Sequence, residues 1–216
     1  MPNYAEHMST PFSQSTYQVR LEWGVEGLRR LEPADVYVIA DPIRYSSGVL
    51  KVLAKGHDFD IARSTCPNGG AIAKELAART DAPVVFAGTL GNATAVARAV
   101  KAEQERRQAR TSVAVIAGGE RTPEGDIRFA VEDLLAAGAI IDALVPLGID
   151  HSSPEAVAAA EAFVALRRGI THLVTGSGSG RELEDDPDGR DDVRAAAKVD
   201  TTDVVPVLRE GFFVAR

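Results

Sequence analysis

The sequence predicts an α/β fold, a three-layer α/β/α arrangement around a mostly parallel or mixed sheet. Short β-rich runs alternate with Ala-rich runs of helical period along most of the chain, the pattern of strand–helix–strand units. Residues 36–40 and 113–117 are unbroken apolar runs, as expected of strands covered on both faces. A length of 216 residues with 45% apolar side chains is enough to bury a core of that kind.

The elements follow in order. Residues 1–16 are polar with scattered Pro and Ser and read as a flexible leader. They lack the charged-then-apolar layout of a signal peptide. Residues 17–216 read as one domain. Residues 16–23 alternate like a half-exposed strand. Residues 36–40 form a strand, and 45–55 a helix closed by Gly56. A weaker strand is expected at 58–62, a helix at 69–79, a strand at 84–87 and a long helix at 92–107. Residues 113–117 are a strand, and 130–137 a helix closed by Gly138. Residues 140–143 fit either a short strand or a helical extension. An Ala-rich helix is expected at 154–167, with Ser152 or Ser153 as N-cap and Pro154 in its first turn. Residues 172–175 read as a strand and 176–180 as a Gly/Ser loop. Residues 185–192 are acidic and turn-rich, 191–197 a short helix, and 204–208 the last strand.

Composition narrows the function. A net charge of −7 argues against a nucleic-acid groove or an anionic membrane as main partner, while leaving room for a local basic pocket. No apolar run approaches the roughly 18 residues of a membrane span. The single cysteine, Cys66, excludes an internal disulfide and fits a reducing cytoplasm. The four histidines show no zinc-ligand spacing.

Candidate site residues gather where strands hand over to helices, the place where open α/β sheets bind ligands. Asp41-Pro42-Ile43-Arg44 follows the strand at 36–40. Asp41 can hold Mg²⁺ and Arg44 can fork onto a phosphate; equally, Asp41 can be a helix cap and Arg44 its surface partner. Asn68-Gly69-Gly70 and Gly88-Thr89-Leu90-Gly91-Asn92 each precede a helix. Their backbone N–H groups and Asn amides suit an oxyanion, and they equally suit turns and caps. Gly118-Gly119-Glu120-Arg121 and Arg128 flank a hairpin-like excursion, with the two arginines as a phosphate clamp. Glu132 and Asp133 are metal-ligand candidates at a helix start, where the dipole favours carboxylates in any case. Adjacent helical residues point about 100° apart, so at most one of the two is expected to face the site squarely, with the other capping or orienting. Ser177 and Arg181 belong to a Gly/Ser loop that matches neither the dinucleotide nor the P-loop pattern but could cradle an anion. Cys66 reads as a small packing residue. Asp200 could add a metal ligand.

Taken together these segments resemble the 2-phosphosulfolactate phosphatase (ComB) family, from about residue 17 to residue 208. The resemblance rests on Leu21-Glu22-Trp23-Gly24, on residues 39–47, on Pro67-Asn68-Gly69-Gly70, on residues 88–97, on Ala117-Gly118-Gly119, on residues 131–141 and on Asp192-Val193 before Val199-Asp200. It implies a cytoplasmic, Mg²⁺-dependent phosphatase that converts 2-phosphosulfolactate to sulfolactate and phosphate in coenzyme M biosynthesis. Asp41 and Arg44 fall on the family's Asp-x-x-Arg motif, Asn68 on Asn-Gly, Asn92 on Asn-Ala, and Glu132 with Asp133 on Glu-Asp. Two positions depart from the family: Tyr45 stands where a small residue is usual, and Ile116 where a cysteine is common. If that cysteine were a nucleophile, this chain would lack it.

The implied chemistry is phosphomonoester hydrolysis. Asp41 with one or both of Glu132 and Asp133 would hold Mg²⁺, and Arg44, Arg121, Arg128 and Arg181 would neutralise the anionic substrate. The nucleophile is left open between water and a carboxylate. The alternatives are a phosphatase for another small phosphorylated acid, or a non-catalytic anion-binding module on the same fold. A homodimer is the default assembly.

Overall fold

The computed structural model describes residues 10–216. In chain order the elements are β1 (Val19–Trp23), α1 (Gly24–Arg30), β2 (Val36–Ala40), α2 (Tyr45–Leu53), β3 (Phe59–Asp60), α3 (Gly69–Ala77), β4 (Val84–Gly88) and α4 (Ala93–Arg107). There follow β5 (Val113–Ala117), β6 (Glu120–Arg121), β7 (Ile127–Arg128), α5 (Val131–Leu144), α6 (Pro154–Leu166), α7 (Ile170–Thr175), α8 (Gly178–Glu182), α9 (Pro187–Ala196), β8 (Pro206–Arg209) and β9 (Phe212–Ala215). Among the described residues, seven strands form one mixed sheet in the order β1-β5-β2-β4-β8-β9-β3, and β6 pairs with β7 in a separate hairpin.

The apolar runs β2 and β5 form the centre of the parallel half. Val36 pairs in register with both Val113 and Val84, and β1 lies parallel to β5. Period-2 geometry sends alternate side chains to opposite faces. Val36, Val38, Ala40, Val113, Val115 and Ala117 therefore join the core beneath α4, α5 and α6. Tyr37, Ile39, Ala114 and Ile116 join the core beneath α1, α2 and α3. This is the predicted three-layer α/β/α fold with a mixed sheet. The antiparallel half is built by β8, β9 and β3 beyond β4.

One consequence of this layering positions the site. β2 is followed by α2 on one face of the sheet, and its neighbour β5 is followed by α5 on the other. The chain thus leaves two adjacent parallel strands in opposite directions, which opens a crevice at their C-terminal ends.

Several expectations change. Residues 172–175 are helix, not strand: Ile170 and Val174 of α7 are both buried against the α4–α6 core. Their spacing of four places them on one helical face, and that packing overrides the β-branched composition. The 176–180 loop is mostly the start of α8, capped by Ser177. The expected strand at 58–62 shortens to β3 and a 3₁₀ turn at Ile61–Arg63. α9 begins at Pro187, inside the stretch read as acidic turns, because Asp186 caps it by accepting from the Gly189 N–H. The last expected strand runs instead from Pro206, and β9 follows it.

Part of the leader is ordered. Residues 1–9 lie outside the described residues, but Gln14 is docked, so residues 10–16 are not the flexible segment expected. Its side chain accepts from the Leu21 N–H at 3.1 Å and donates to the Leu21 carbonyl at 2.9 Å. One amide thereby occupies the open edge of β1 as a neighbouring strand would.

Gly138 is no helix stop. It sits in the middle of α5, which continues through residues 140–143 to Leu144. A Cβ there would meet the Ala159 carbonyl oxygen of α6 at 2.1 Å. The glycine is required by the close approach of the two helices, and not by a turn.

Gly138→Ala tests this. In an unhindered helix the change is stabilising by about 1 kcal/mol. Here it is expected to destabilise by about 3 kcal/mol, read as a lowered midpoint of urea unfolding.

Candidate active site

Asp41 leaves β2 at the crevice and is almost fully buried, at 2% exposure. Its Oδ2 accepts from the Gly69 N–H at 2.8 Å and its Oδ1 from the Tyr45 N–H at 3.3 Å. These donors are the first N–H groups of α3 and α2, which have no partner inside their own helices and favour an anion. Two glycines allow the close approach. A Cβ on Gly118 would lie 2.9 Å from Asp41 Oδ2, and one on Gly69 at 2.7 Å from the same atom. Gly118 follows β5, and its N–H donates to the Ala40 carbonyl at 3.0 Å. The Ile43–Arg44 peptide bond is cis.

The second half of the site comes from α5. Asp133 is buried, and its Oδ2 accepts from the Gly119 N–H at 2.7 Å. Gly119 has φ +68°, the left-handed conformation that glycine adopts without penalty. Glu132 is equally buried, and its Oε1 takes a short hydrogen bond from the Ser179 hydroxyl of α8. Ser179 also lies 3.3 Å from Glu120 Oε2. Both members of the acidic pair are thus used: Asp133 orders the glycine turn, while Glu132 ties α5 to α8.

The electrostatics of this group are unusual. Burial pushes the Asp41 carboxyl up to about 6, with the Glu132 charge adding to the rise against the two N–H donors. Asp133 is raised well above the ordinary carboxylate range by burial, then by the charges of Asp41 and Glu132. Three carboxylates are therefore held near one another out of water, with no guanidinium or ammonium of the described residues bound to them.

Beside them opens a cleft of about 770 Å³, walled by Arg44, Tyr45, Cys66, Asn68, Glu120 and Ser179 among others; the three carboxylates are covered and do not line it. Arg44 is exposed on this wall and makes no ion pair among the described residues, so its guanidinium is free for an anion. Arg128 likewise makes no ion pair among the described residues. It stands opposite Glu120 across the β6–β7 hairpin, and its Nη1 would lie 3.0 Å from a Cβ on Gly178 at the start of α8.

Other expected ligands go elsewhere. Asn92 is fully buried, and every polar atom of its side chain is used. Its Oδ1 accepts from the Thr89 N–H and hydroxyl, while its Nδ2 donates to the Ala87 and Val204 carbonyls. It is a structural cap that fastens β4 to the segment before β8. Ser177 is spent in the same way, on the Gly180 N–H and the Val174 carbonyl. Arg121 donates to the Gly125 carbonyl and lines a separate depression beside Trp23 and Glu26, so the expected clamp of Arg121 with Arg128 does not form. Arg181 is exposed on α8 and does not line the cleft. Asp200 caps the start of α4 through Thr94.

The structure adds a residue that the sequence reading set aside. Cys66 Sγ lies 3.8 Å from Asp41 Oδ2, and burial pushes its thiol upward. Ile116 is packed in the core on the α1–α3 side, so the thiol of this site comes from a different loop. Its position just before the Asn68-Gly69 helix start was the available signal.

A family model described as 2-phosphosulpholactate phosphatase matches residues 61–211. The chain belongs to this family. No curated protein matches it. The 2-phosphosulpholactate phosphatases are phosphoric monoester hydrolases, and the site is one in which such chemistry can occur. The matched span contains Asn68, Gly118, Gly119, Glu132 and Asp133. Asp41 and Arg44 lie before it and are joined to it by the geometry described. No helix among the described residues is long and apolar enough to cross a membrane.

The donor set also bears on a metal. Among the described residues no group of three or more carboxylate, imidazole or thiol side chains is placed to hold a metal ion. Mg²⁺ does not need one, because it keeps several waters and binds through one or two carboxylates together with substrate phosphate. Hard oxygen donors that repel one another without a countercharge fit that ion.

The raised carboxyls predict how stability depends on pH. A carboxyl with a folded value of about 6 and an unfolded value of about 3.9 stabilises the fold while neutral. That contribution is present below the unfolded value and is lost as pH climbs through about 6. In chelator, Asp41→Asn is therefore expected to gain stability relative to wild type as pH rises from about 4 to about 7, by up to about 3 kcal/mol. Thermal melts of both proteins across that range give the difference, and a flat or shrinking difference contradicts the assignment.

Proposed function

We propose that the protein is a Mg²⁺-dependent phosphatase for a small anionic phosphomonoester, with 2-phosphosulpholactate as the first substrate to assay. The observation that carries this reading is the pair of buried, interacting carboxylates Asp41 and Asp133 at the β2/β5 crevice, with Arg44 unpaired among the described residues on the wall of the neighbouring cleft. The family match supports the reaction class. Turnover of 2-phosphosulpholactate would give the protein a place in coenzyme M biosynthesis, in the cytoplasm.

Asp41 and Asp133, with Glu132 beside them, are the groups that would hold the ion. Bound there, Mg²⁺ supplies Lewis-acid polarisation of the phosphoryl group. The chain's own residues do the rest. Gly69 and Tyr45 fix both oxygens of Asp41 through their N–H groups, so its remaining lone pairs have a set direction. Asp133 fixes the Gly118-Gly119 turn at the end of β5. Arg44 offers a planar fork to the non-bridging phosphoryl oxygens and neutralises charge that grows during transfer. Asn68, which immediately precedes α3, also lines the cleft. Whether water or the Asp41 carboxylate attacks is read by quenching a single turnover of ester labelled in its phosphoryl group. In the first case the label is found only in phosphate and never on the protein. In the second, a phosphoryl group is trapped on Asp41 before water releases it.

The deciding assay is phosphate release from 2-phosphosulpholactate, 2-phospholactate, phosphoglycolate and sugar phosphates, with and without Mg²⁺. Asp41→Asn is expected to lose about 10³-fold or more in kcat. Arg44→Ala is expected to lose about 10²-fold in kcat/KM. Absence of Mg²⁺-dependent hydrolysis of any phosphomonoester by the wild type would overturn the proposal.

A further inference from the structure

Asp41, Glu132 and Asp133 are all buried and none of them lines the cleft. An ion or ester in the cleft therefore reaches them only if part of the cover moves. Much of that cover is fixed: Tyr45 is packed in the apolar core against Phe59 and Phe213, and Gly118 is bonded to Ala40 of β2. α8 is held differently. It contributes Ser179 and Glu182 to the cleft wall, while Gly178, Arg181 and Glu182 are exposed. Among the described residues, the hydrogen bonds of residues 176–184 reach no more than four positions along the chain, except those of Ser179. The first ion pairs beyond the segment are those of Asp191 and Asp192. A Cβ on Gly178 would meet only the flexible end of Arg128. The apolar anchor is Leu183, half-buried against the α4–α6 core. Few buried contacts and mostly local bonds mark a segment that opens at low cost.

Ser179 joins the two regions. It lines the cleft, and its hydroxyl donates to Glu132 Oε1 of the buried centre. A hydroxyl carries one proton. Given to Glu132, that proton leaves Glu120 Oε2, 3.3 Å away, facing the oxygen's lone pairs. The fastening is thus a single bond with a second carboxylate set against it. We propose that α8 is a lid over the acidic centre, latched by the Ser179 hydroxyl on Glu132, and that a divalent cation releases it by taking Glu132 Oε1 from the hydroxyl. With α8 lifted, Glu132 opens onto the cleft and the way to Asp133 and Asp41 is uncovered. Lids of this kind admit ligands and shut water out of a site between turnovers. What passes beneath the lid rests on the phosphatase reading above; the latch does not.

Amide hydrogen exchange of the full chain, read by mass spectrometry, tests this. In chelator, Ser179→Ala is expected to speed exchange of the α8 amides by about tenfold or more, the loss of one hydrogen bond to a charged group, while β2 and β5 stay unchanged. Exchange of α8 that the substitution does not move overturns the latch. So does a wild-type α8 that already exchanges at the rate of unfolded chain, or an equal speeding of β2 and β5, because the bond would then hold nothing or hold the whole fold. Mg²⁺, its binding followed by calorimetry, is expected to bring the wild-type α8 to the rate of Ser179→Ala and to leave the variant's rate as it was. Bound Mg²⁺ that slows the wild-type α8, or does not move it, overturns the release. The two readings fail separately. Absence of Mg²⁺ binding removes the Mg²⁺-dependent phosphatase and the release with it, and the comparison in chelator then decides the latch. Mg²⁺-dependent hydrolysis with α8 exchange unmoved by Ser179→Ala keeps the phosphatase and removes the lid.

Discussion

Asp41 is pressed against two backbones at once: Gly118, just past the end of the strand beside it, and the Gly69 N–H at the start of α3. Much of the surrounding architecture is arranged around this contact. It requires β2 and β5 to be adjacent and in register, so that Ala40 and Ala117 end together. It requires α2 and α5 to leave on opposite faces of the sheet, because otherwise a helix would fill the crevice. It also requires glycine at the two closest points, where any Cβ would enter the space of the carboxylate.

The same contact sets the energetic character of the site. Helix-start N–H groups oriented by the fold can hold one buried carboxylate. They do not compensate for Asp133 and Glu132 beside it, and the upward displacement of the Asp41 and Asp133 carboxyls records that imbalance. Buried like charges are a form of stored repulsion that a fold keeps where function needs it. On the proposed reading, a divalent cation would offset the carboxylates and Arg44 would meet the ester from the cleft wall.

The layers and the strands at 36–40, 84–87 and 113–117 were legible in the sequence because a strand buried on both faces leaves an unbroken apolar run. Asp41, Arg44 and the 132–133 pair could be placed because they stand beside such runs. Other readings failed where a residue's work depends on a distant partner. Asn92 looked like an oxyanion ligand, but its amide is consumed by Thr89, Ala87 and Val204, the last more than a hundred positions away. Residues 172–175 have β-branched composition, and only their packing against the α5 layer makes them helical. Cys66 was read as inert because nothing local reveals that the Asp41 carboxylate lies beside it. Arg121 and Arg128 were paired by proximity in sequence, yet the hairpin sends them to different surfaces.

The contact between Gly138 and Ala159 has a mechanical meaning beyond packing. α5 carries Glu132 and Asp133 at one end, and the crossing with α6 grips it about one and a half turns further on, roughly 9 Å along its axis. With no Cβ between them, the two backbones interlock like a pin in a socket and leave α5 little freedom to slide. A shift of one residue would move the acidic pair by about 1.5 Å, enough to break the bond from Asp133 to the Gly119 N–H. The spacing of carboxylates at the crevice is thus gauged by a joint that touches neither substrate nor ion. Mutations at that joint would retune the centre from a distance, while changes on the outer face of α6 would leave it undisturbed.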